Sequence, residues 1–319
     1  MNAVFLDVGT LGPEPLDLGQ LRRLLPNLEC FDSTPNEQLA ERVANAEYVL
    51  TNKAKLDATV LGAARRLTFI GLVATGTDNV ALDAARSQDI AVCNIRAYCT
   101  RSVVEHVFSA LLMLTRSTPR YVNDVRAGRW QQADNFCLLD HPIRELSALK
   151  LGVVGYGVLG RAVAETAKHF GMQVAVAARR GTPFHGADER VEFMEVLQTS
   201  DVVSLHCPLN EETRHLIGRA ELDAMRDTSI LINTARGALV DTEALAQALE
   251  CGSIGGAAID VLAEEPPVNG DPLLRYSGSN LILTPHVAWG SREARQNAID
   301  ELTANVAAFQ AGERRNRVD

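Results

Sequence analysis

Three apolar runs late in the chain stop at side chains able to do chemistry: ILINTAR ends in Arg236, AAIDVLAEE in Glu265 and LILTPH in His286. An arginine holds a carboxylate through two parallel hydrogen bonds. A histidine gives a proton to a carbonyl oxygen as that oxygen becomes an alkoxide. A carboxylate beside such a histidine holds the ring and favours its charged form. Taken singly, each residue has an ordinary alternative: a surface arginine, a loop acid, a packed histidine. The set carries weight only if the chain brings the three strand ends to one place.

The stretch that would do so is KLGVVGYGVLGRA, residues 150–162. Its apolar start reads as a short buried strand, and a helical pattern opens at Val158 and Leu159. Gly155-Tyr156-Gly157-Val158-Leu159-Gly160 lies between them, in the context a G-x-G-x-x-G needs. Gly155 permits the tight turn, Gly157 lets a pyrophosphate approach the backbone, and Gly160 lets helix and strand pack closely. The free N–H groups at the helix start then face phosphate charge. A glycine turn with no ligand is the plainer reading, and the flanking strand and helix favour a dinucleotide. In an open parallel sheet, ligands bind outside the carboxyl ends of the strands. Downstream of such a turn, Arg236, Glu265 and His286 therefore read as one mouth.

A second cofactor determinant belongs at the end of the next strand, where an acid normally takes the ribose 2′-hydroxyl. Here that strand runs into Ala178-Arg179-Arg180-Gly181. Two arginines stand where the acid is expected, and a guanidinium fork matches a phosphate. The alternative is a pair of solvated charges. The 2′-phosphate reading is favoured, so NADP is expected over NAD.

The 319 residues suggest two domains. Net charge is −9, which disfavours nucleic acid or an anionic membrane as partner. Six scattered cysteines with no C-x-x-C pair argue against a zinc site or a disulfide framework and suit a reducing cytosol. No signal-peptide pattern or bilayer-length apolar run is seen, so a cytoplasmic protein is expected. In the first third, strands are expected at 3–7, 28–31, 48–51, 67–72 and 90–93, with helices between them and Asp57 capping one. Residues 100–116 form an apolar helical pattern, expected to be buried between layers or domains, followed by a more polar helix at 121–130 and an ordered loop at 131–143. Strands follow at 151–154, 173–177, 201–205, 229–232, 256–259 and 281–283, with helices at 159–170, 219–225 and 242–250 and a last helix at 292–311. This alternation points to parallel α/β layers.

With those residues in place, the chain resembles the D-isomer-specific 2-hydroxyacid dehydrogenase family over nearly its full length. The motifs are GYGVLG at 155–160, HCPL at 206–209, NTARGALVD at 233–241, AAIDVLAEEPP at 257–267 and TPHVAW at 284–289. Within the family it is most similar to glycerate dehydrogenases, also called hydroxypyruvate or glyoxylate reductases. The resemblance implies a doubly wound Rossmann cofactor domain, 100–287, inserted in a flavodoxin-like substrate domain made of 1–99 and 288–319. It implies that Arg236, Glu265 and His286 are catalytic, with Glu265 rather than Glu264 the acid because it precedes Pro266. Asp260 matches the residue that contacts the nicotinamide carboxamide. Thr234, Ala235, Cys207 and Pro208 would line the cofactor. Thr75 and Gly76 match the loop whose amides take the substrate carboxylate, and Asn52 and Lys53 match a cleft-facing position. Where most members carry Asp, this chain has Ala178-Arg179. The implied reaction is hydride transfer between NAD(P)H and a short 2-keto acid, with a homodimer as the expected assembly and the helix near 103–114 as an interface element. A D-lactate-like substrate is the nearest alternative. A nucleotide-sensing corepressor is a distant one, since the catalytic three are complete.

Overall fold

The computed structural model describes residues 1–181 and 190–319. The chain divides into two compact units, Met1–Cys99 with Gly290–Asp319, and Thr100–Trp289. Each is described by itself.

The first unit is built on β1 (Asn2–Phe5), β2 (Asn27–Cys30), β3 (Tyr48–Thr51), β4 (Phe69–Leu72) and β5 (Ala91–Cys93). Their order is β2-β1-β3-β4-β5, all parallel, the flavodoxin-like arrangement. β3, β4 and β5 are buried along their whole length, as strands covered on both faces must be. The connecting helices are α1 (Gly19–Leu24), α2 (Asn36–Val43), α3 (Ala58–Ala63) and α4 (Leu82–Ser87). Asp57 caps α3 by accepting from the Val60 amide at 2.9 Å.

The second unit opens with α5 (Thr100–Thr115) and α6 (Thr118–Arg126). Its strands are β6 (Lys150–Val154), β7 (Gln173–Val176), β8 (Val202–Leu205), β9 (Ile230–Asn233), β10 (Gly256–Ile259) and β11 (Leu281–Leu283). They form one parallel sheet in the order β11-β10-β9-β8-β6-β7. Beyond β7, Val191 makes a single parallel bridge to Ala177, in the place of a further edge strand. The chain order reverses between β6 and β8, which makes their carboxyl ends the topological switch point. The helices are α7 (Val158–His169), α8 (Phe193–Thr199), α9 (Arg219–Ala224), α10 (Thr242–Cys251) and α11 (Pro272–Arg275). Finally α12 (Arg292–Gln310) returns to the first unit, where it buries Leu302 and Val306.

Several details differ from the sequence reading. α6 starts at Thr118 rather than 121 and ends at Arg126, with Pro119 in its first turn. α8 and α11 were not expected: α11 is a single turn of four residues, too short to show a period, whereas α8 does space Phe193, Val196 and Leu197 along one buried face. α5 is less uniformly apolar in place than in sequence. Val103, Val107, Phe108 and Leu111 are buried, whereas Arg101, Glu105 and Ser109 are exposed. Among the described residues no helix is long and apolar enough to cross a membrane.

Candidate active site

The parallel strands of the second unit all end at one edge, and backbone bonds carry the ladder past the strands. His206 N–H donates to Val154 O at 2.7 Å, Asp260 N–H to Asn233 O at 3.0 Å, and Thr284 N–H to Ile259 O at 2.9 Å. The glycine turn sits on this edge, and each glycine has its own constraint. Gly155 has φ 92°, and a Cβ there would lie 2.5 Å from the Cys207 nitrogen. At Gly160 a Cβ would lie 2.0 Å from the Gly155 oxygen. At Gly157, the residue before the first turn of α7, a Cβ would meet nothing within 4 Å. The first and third glycines are thus required by packing of the chain on itself. The space beside Gly157 is open, as a ligand phosphate at a helix N-terminus requires. Val158 is exposed and Leu159 half-buried beside it.

The next strand ends carry orphaned polar atoms. His206 is half-buried as a residue, but its ring nitrogens lie inside. Nε2 is 2.9 Å from Ser204 Oγ, and Nδ1 has no partner among the described residues. Burial lowers its pKa to about 4, so the ring is neutral. Thr234 Oγ1 is likewise buried and unpartnered. A buried polar atom without a partner is costly, and a dinucleotide lying across these strand ends can supply one. Cys207 is half-buried, and burial raises its thiol pKa. Pro208 is exposed.

Arg236 follows β9. Asn233, fully buried, shapes its turn by donating to Arg236 O at 2.9 Å and accepting from the Ala235 amide at 3.1 Å. Arg236 Nη1 donates to Ala235 O at 2.7 Å, and the side chain stays half-buried. Gly237 allows this turn to lie against the loop after β10, because a Cβ there would fall 2.0 Å from the Leu262 carbonyl carbon. On that loop Glu265 Oε1 accepts from the Leu262 amide at 2.9 Å, and Oε2 lies 2.6 Å from His286 Nδ1. Glu264 instead accepts from Asn269 at 2.8 Å. The side chains of His286 and Glu265 are 30% and 35% exposed, so the pair is reachable from solvent. His286 has φ 56°, and its amide donates to Asp260 O at 2.7 Å.

Asp260 is 1% exposed and turns its carboxylate into the chain. It accepts from Thr284 Oγ1 at 2.6 Å and from the amides of Val287 and Ala288 at 2.9 Å each. The sequence singled Asp260 out only through resemblance, and its part in building the His286 turn was not foreseen.

At the end of β7, Arg179 and Arg180 are exposed. Arg180 is engaged: Nη2 lies 2.6 Å from Glu221 Oε1, whose side chain is 6% exposed. The residues that follow, 182–189, lie outside the described part of the chain. In the first unit, Thr75 Oγ1 donates to Ile95 O at 3.0 Å, and the Thr75 carbonyl accepts from Asn94 at 2.7 Å. Gly76 follows at the same turn. Lys53 is exposed on a loop whose amides are held by buried Asp7.

Comparisons with known proteins agree with this architecture. Residues 108–288 match the model of the D-isomer specific 2-hydroxyacid dehydrogenase NAD binding domain. The chain is 43% identical over 283 residues to a glycerate dehydrogenase of Methylorubrum extorquens, covering 89% of this chain and 88% of the relative. It is 33% identical over 319 residues to a hydroxypyruvate reductase of Blautia hydrogenotrophica, covering 98% of each. A crystal structure of a Thermus thermophilus protein superposes with a TM-score of 0.86 at 34% identity, covering 100% of both chains.

Proposed function

This chain belongs to the D-isomer-specific 2-hydroxyacid dehydrogenase family, a family of oxidoreductases, and we propose that it reduces hydroxypyruvate and glyoxylate with a preference for NADPH. The observation that carries the chemistry is the 2.6 Å contact between His286 Nδ1 and Glu265. With Nδ1 committed to the carboxylate, Nε2 is the nitrogen that meets the substrate oxygen. His286 donates a proton there as the oxygen gains charge, and Glu265 favours the charged ring that makes this possible. Arg236 holds the substrate carboxylate in two parallel bonds and adds positive charge beside the developing alkoxide. Bound NAD(P)H supplies the hydride for the keto carbon. The open side of Gly157 and the N-terminus of α7 would hold its pyrophosphate, and Thr234, Ala235, Cys207 and Pro208 would line it. Lys53, Thr75 and Gly76 are assigned to the substrate on family resemblance. The relatives' names support the substrate class.

The NADPH preference rests on Ala178, which removes the acid that would repel a 2′-phosphate, and on the cation of Arg179 beside it. Arg180, which pairs with Glu221, adds a second cation at the same strand end. The homodimer that the family suggests has apolar surface available in the second unit, where Trp130 is 52% exposed, Phe136 90% and Leu139 74%. Sedimentation of the purified chain tests it.

The deciding experiment is a panel of 2-keto acids assayed with NADH and NADPH in parallel. Hydroxypyruvate and glyoxylate should lead, with higher kcat/KM for NADPH at low salt. A faster D-lactate-type substrate would move the specificity. Equal or better use of NADH would remove the cofactor preference, and no turnover of any keto acid would overturn the enzymatic reading.

A further inference from the structure

We infer that Thr284 and His106, with Ser102, form a positioning layer that holds His286 from behind, resting on the proposed role of His286. α5 is mostly an apolar helix, yet two polar residues one turn apart, Ser102 and His106, both reach the 284–288 segment. Ser102 Oγ donates to Ala288 O at 2.7 Å, and His106 Nε2 lies 3.1 Å from Thr284 Oγ1. The helix therefore grips both ends of a five-residue stretch whose middle residue, His286, has φ 56°. A side chain rarely adopts that backbone conformation, and it persists where the surroundings over-determine it.

The order of protons along this layer follows from counting donors. Val287 N–H and Ala288 N–H can only donate, so both Asp260 oxygens accept. Thr284 has one hydroxyl hydrogen, and the 2.6 Å contact directs it to Asp260. Toward His106 the Thr284 oxygen can then only accept. His106 must carry a proton on Nε2, and the chain runs His106 N–H to Thr284 O–H to Asp260. This is a single direction of donation that fixes the Asp260 carboxylate, whose other bonds seat the backbone on either side of His286. The Thr284 hydroxyl and His106 Nε2 are both engaged within the chain, and they act through Asp260.

Two measurements on the full chain test this. In protein labelled with ¹⁵N-histidine, neutral His106 should show Nε2 protonated, a readout that needs no turnover. Thr284→Val keeps the shape and removes the hydroxyl; kcat for hydroxypyruvate should fall about 10- to 100-fold, as for a misplaced catalytic group. The KM for the cofactor should stay near wild type, and Thr284→Ser should restore most of kcat. Should Thr284→Val fail to fold, His106→Leu against His106→Gln makes the same comparison, with Gln retaining a donor. A bare Nε2 on neutral His106, or wild-type kcat in both Thr284→Val and His106→Leu, overturns the inference. Absence of keto-acid turnover in the wild type would instead count against the reaction, and the His106 tautomer would still be read separately.

Discussion

Among the described residues, each unit holds one buried aspartate at the carboxyl edge of its sheet, and the two are used in the same way. Asp7 is 3% exposed and accepts from Thr51 Oγ1 and from the amides of Asn52, Lys53 and Ala54, at 2.6 to 3.1 Å. Asp260 is 1% exposed and accepts from Thr284 Oγ1 and from the amides of Val287 and Ala288. In both, a threonine hydroxyl and successive backbone N–H groups satisfy a carboxylate that burial would otherwise penalise. The difference is in what the anchored loop carries. Asp7 holds a loop bearing two exposed lysines, Lys53 and Lys55. Asp260 holds a residue with positive φ whose ring is paired to a second carboxylate and whose segment is gripped again by α5. An anchoring device alone does not make a reactive site. A second, independent set of constraints on one side chain marks the place where geometry matters for chemistry.

The strongest test of that contrast is His286→Ala. Loss of a general acid costs about 10²- to 10⁴-fold in kcat. Cofactor affinity, read by fluorescence titration, should change little, and a mutant within threefold of wild type would dissolve the distinction between the two loops. Arg236→Lys comes next. It keeps the charge but loses the planar fork, so kcat/KM for keto acids should fall about 10- to 150-fold, the worth of a charge-assisted bond. Full activity would mean that Arg236 does not hold the carboxylate through two bonds.

The aspartates can be compared directly. Asp7→Asn and Asp260→Asn each set an amide N–H against backbone donors, at about 1–3 kcal/mol in denaturant unfolding. Asp260→Asn should also lower kcat, whereas Asp7→Asn, whose loop carries Lys53, should act on the KM for the keto acid and leave kcat near wild type. Comparable kcat losses in both would show that the two loops are equally involved in the reaction. A smaller effect is expected at the cofactor end, in the double change Ala178→Asp with Arg179→Ala. The ratio of kcat/KM for NADPH to that for NADH should drop about tenfold or more, and the wild-type ratio should shrink as salt rises.

The smallest effect concerns His206. Its pKa is about 4 in the folded chain, below the ordinary value of about 6.5. The unfolded chain then binds more protons between these values, so the stability this group contributes is present above about pH 6.5 and is lost as pH falls toward about 4. The melting temperature should decline over that window, and less so in His206→Gln. An identical decline in the variant would assign the loss to other groups.

Much of this was legible in the sequence, because strands, turns and caps are set by neighbours along the chain. The apolar runs marked β6 and β8 to β11, the glycine spacing marked the turn before α7, and Asp57 marked the start of α3. α11 escaped because a period cannot show in four residues, whereas α8 was findable from the spacing of Phe193, Val196 and Leu197. The sequence by itself also determined which side chains stand at strand ends and, through its motifs, the family. It offered Glu264 and Glu265 as neighbours, and family pattern alone chose between them. Folding decided that Glu265 meets His286, 21 residues on, while Glu264 turns to Asn269. It decided that Arg180 is taken up by Glu221, 41 residues away, and that Ser102 reaches Ala288 across 186 residues. Such pairings depend on the register of parallel strands and on which face a helix lays against them. Periodicity records only whether a residue is turned inward; the partner it meets there is chosen by the sheet order, which no local pattern contains.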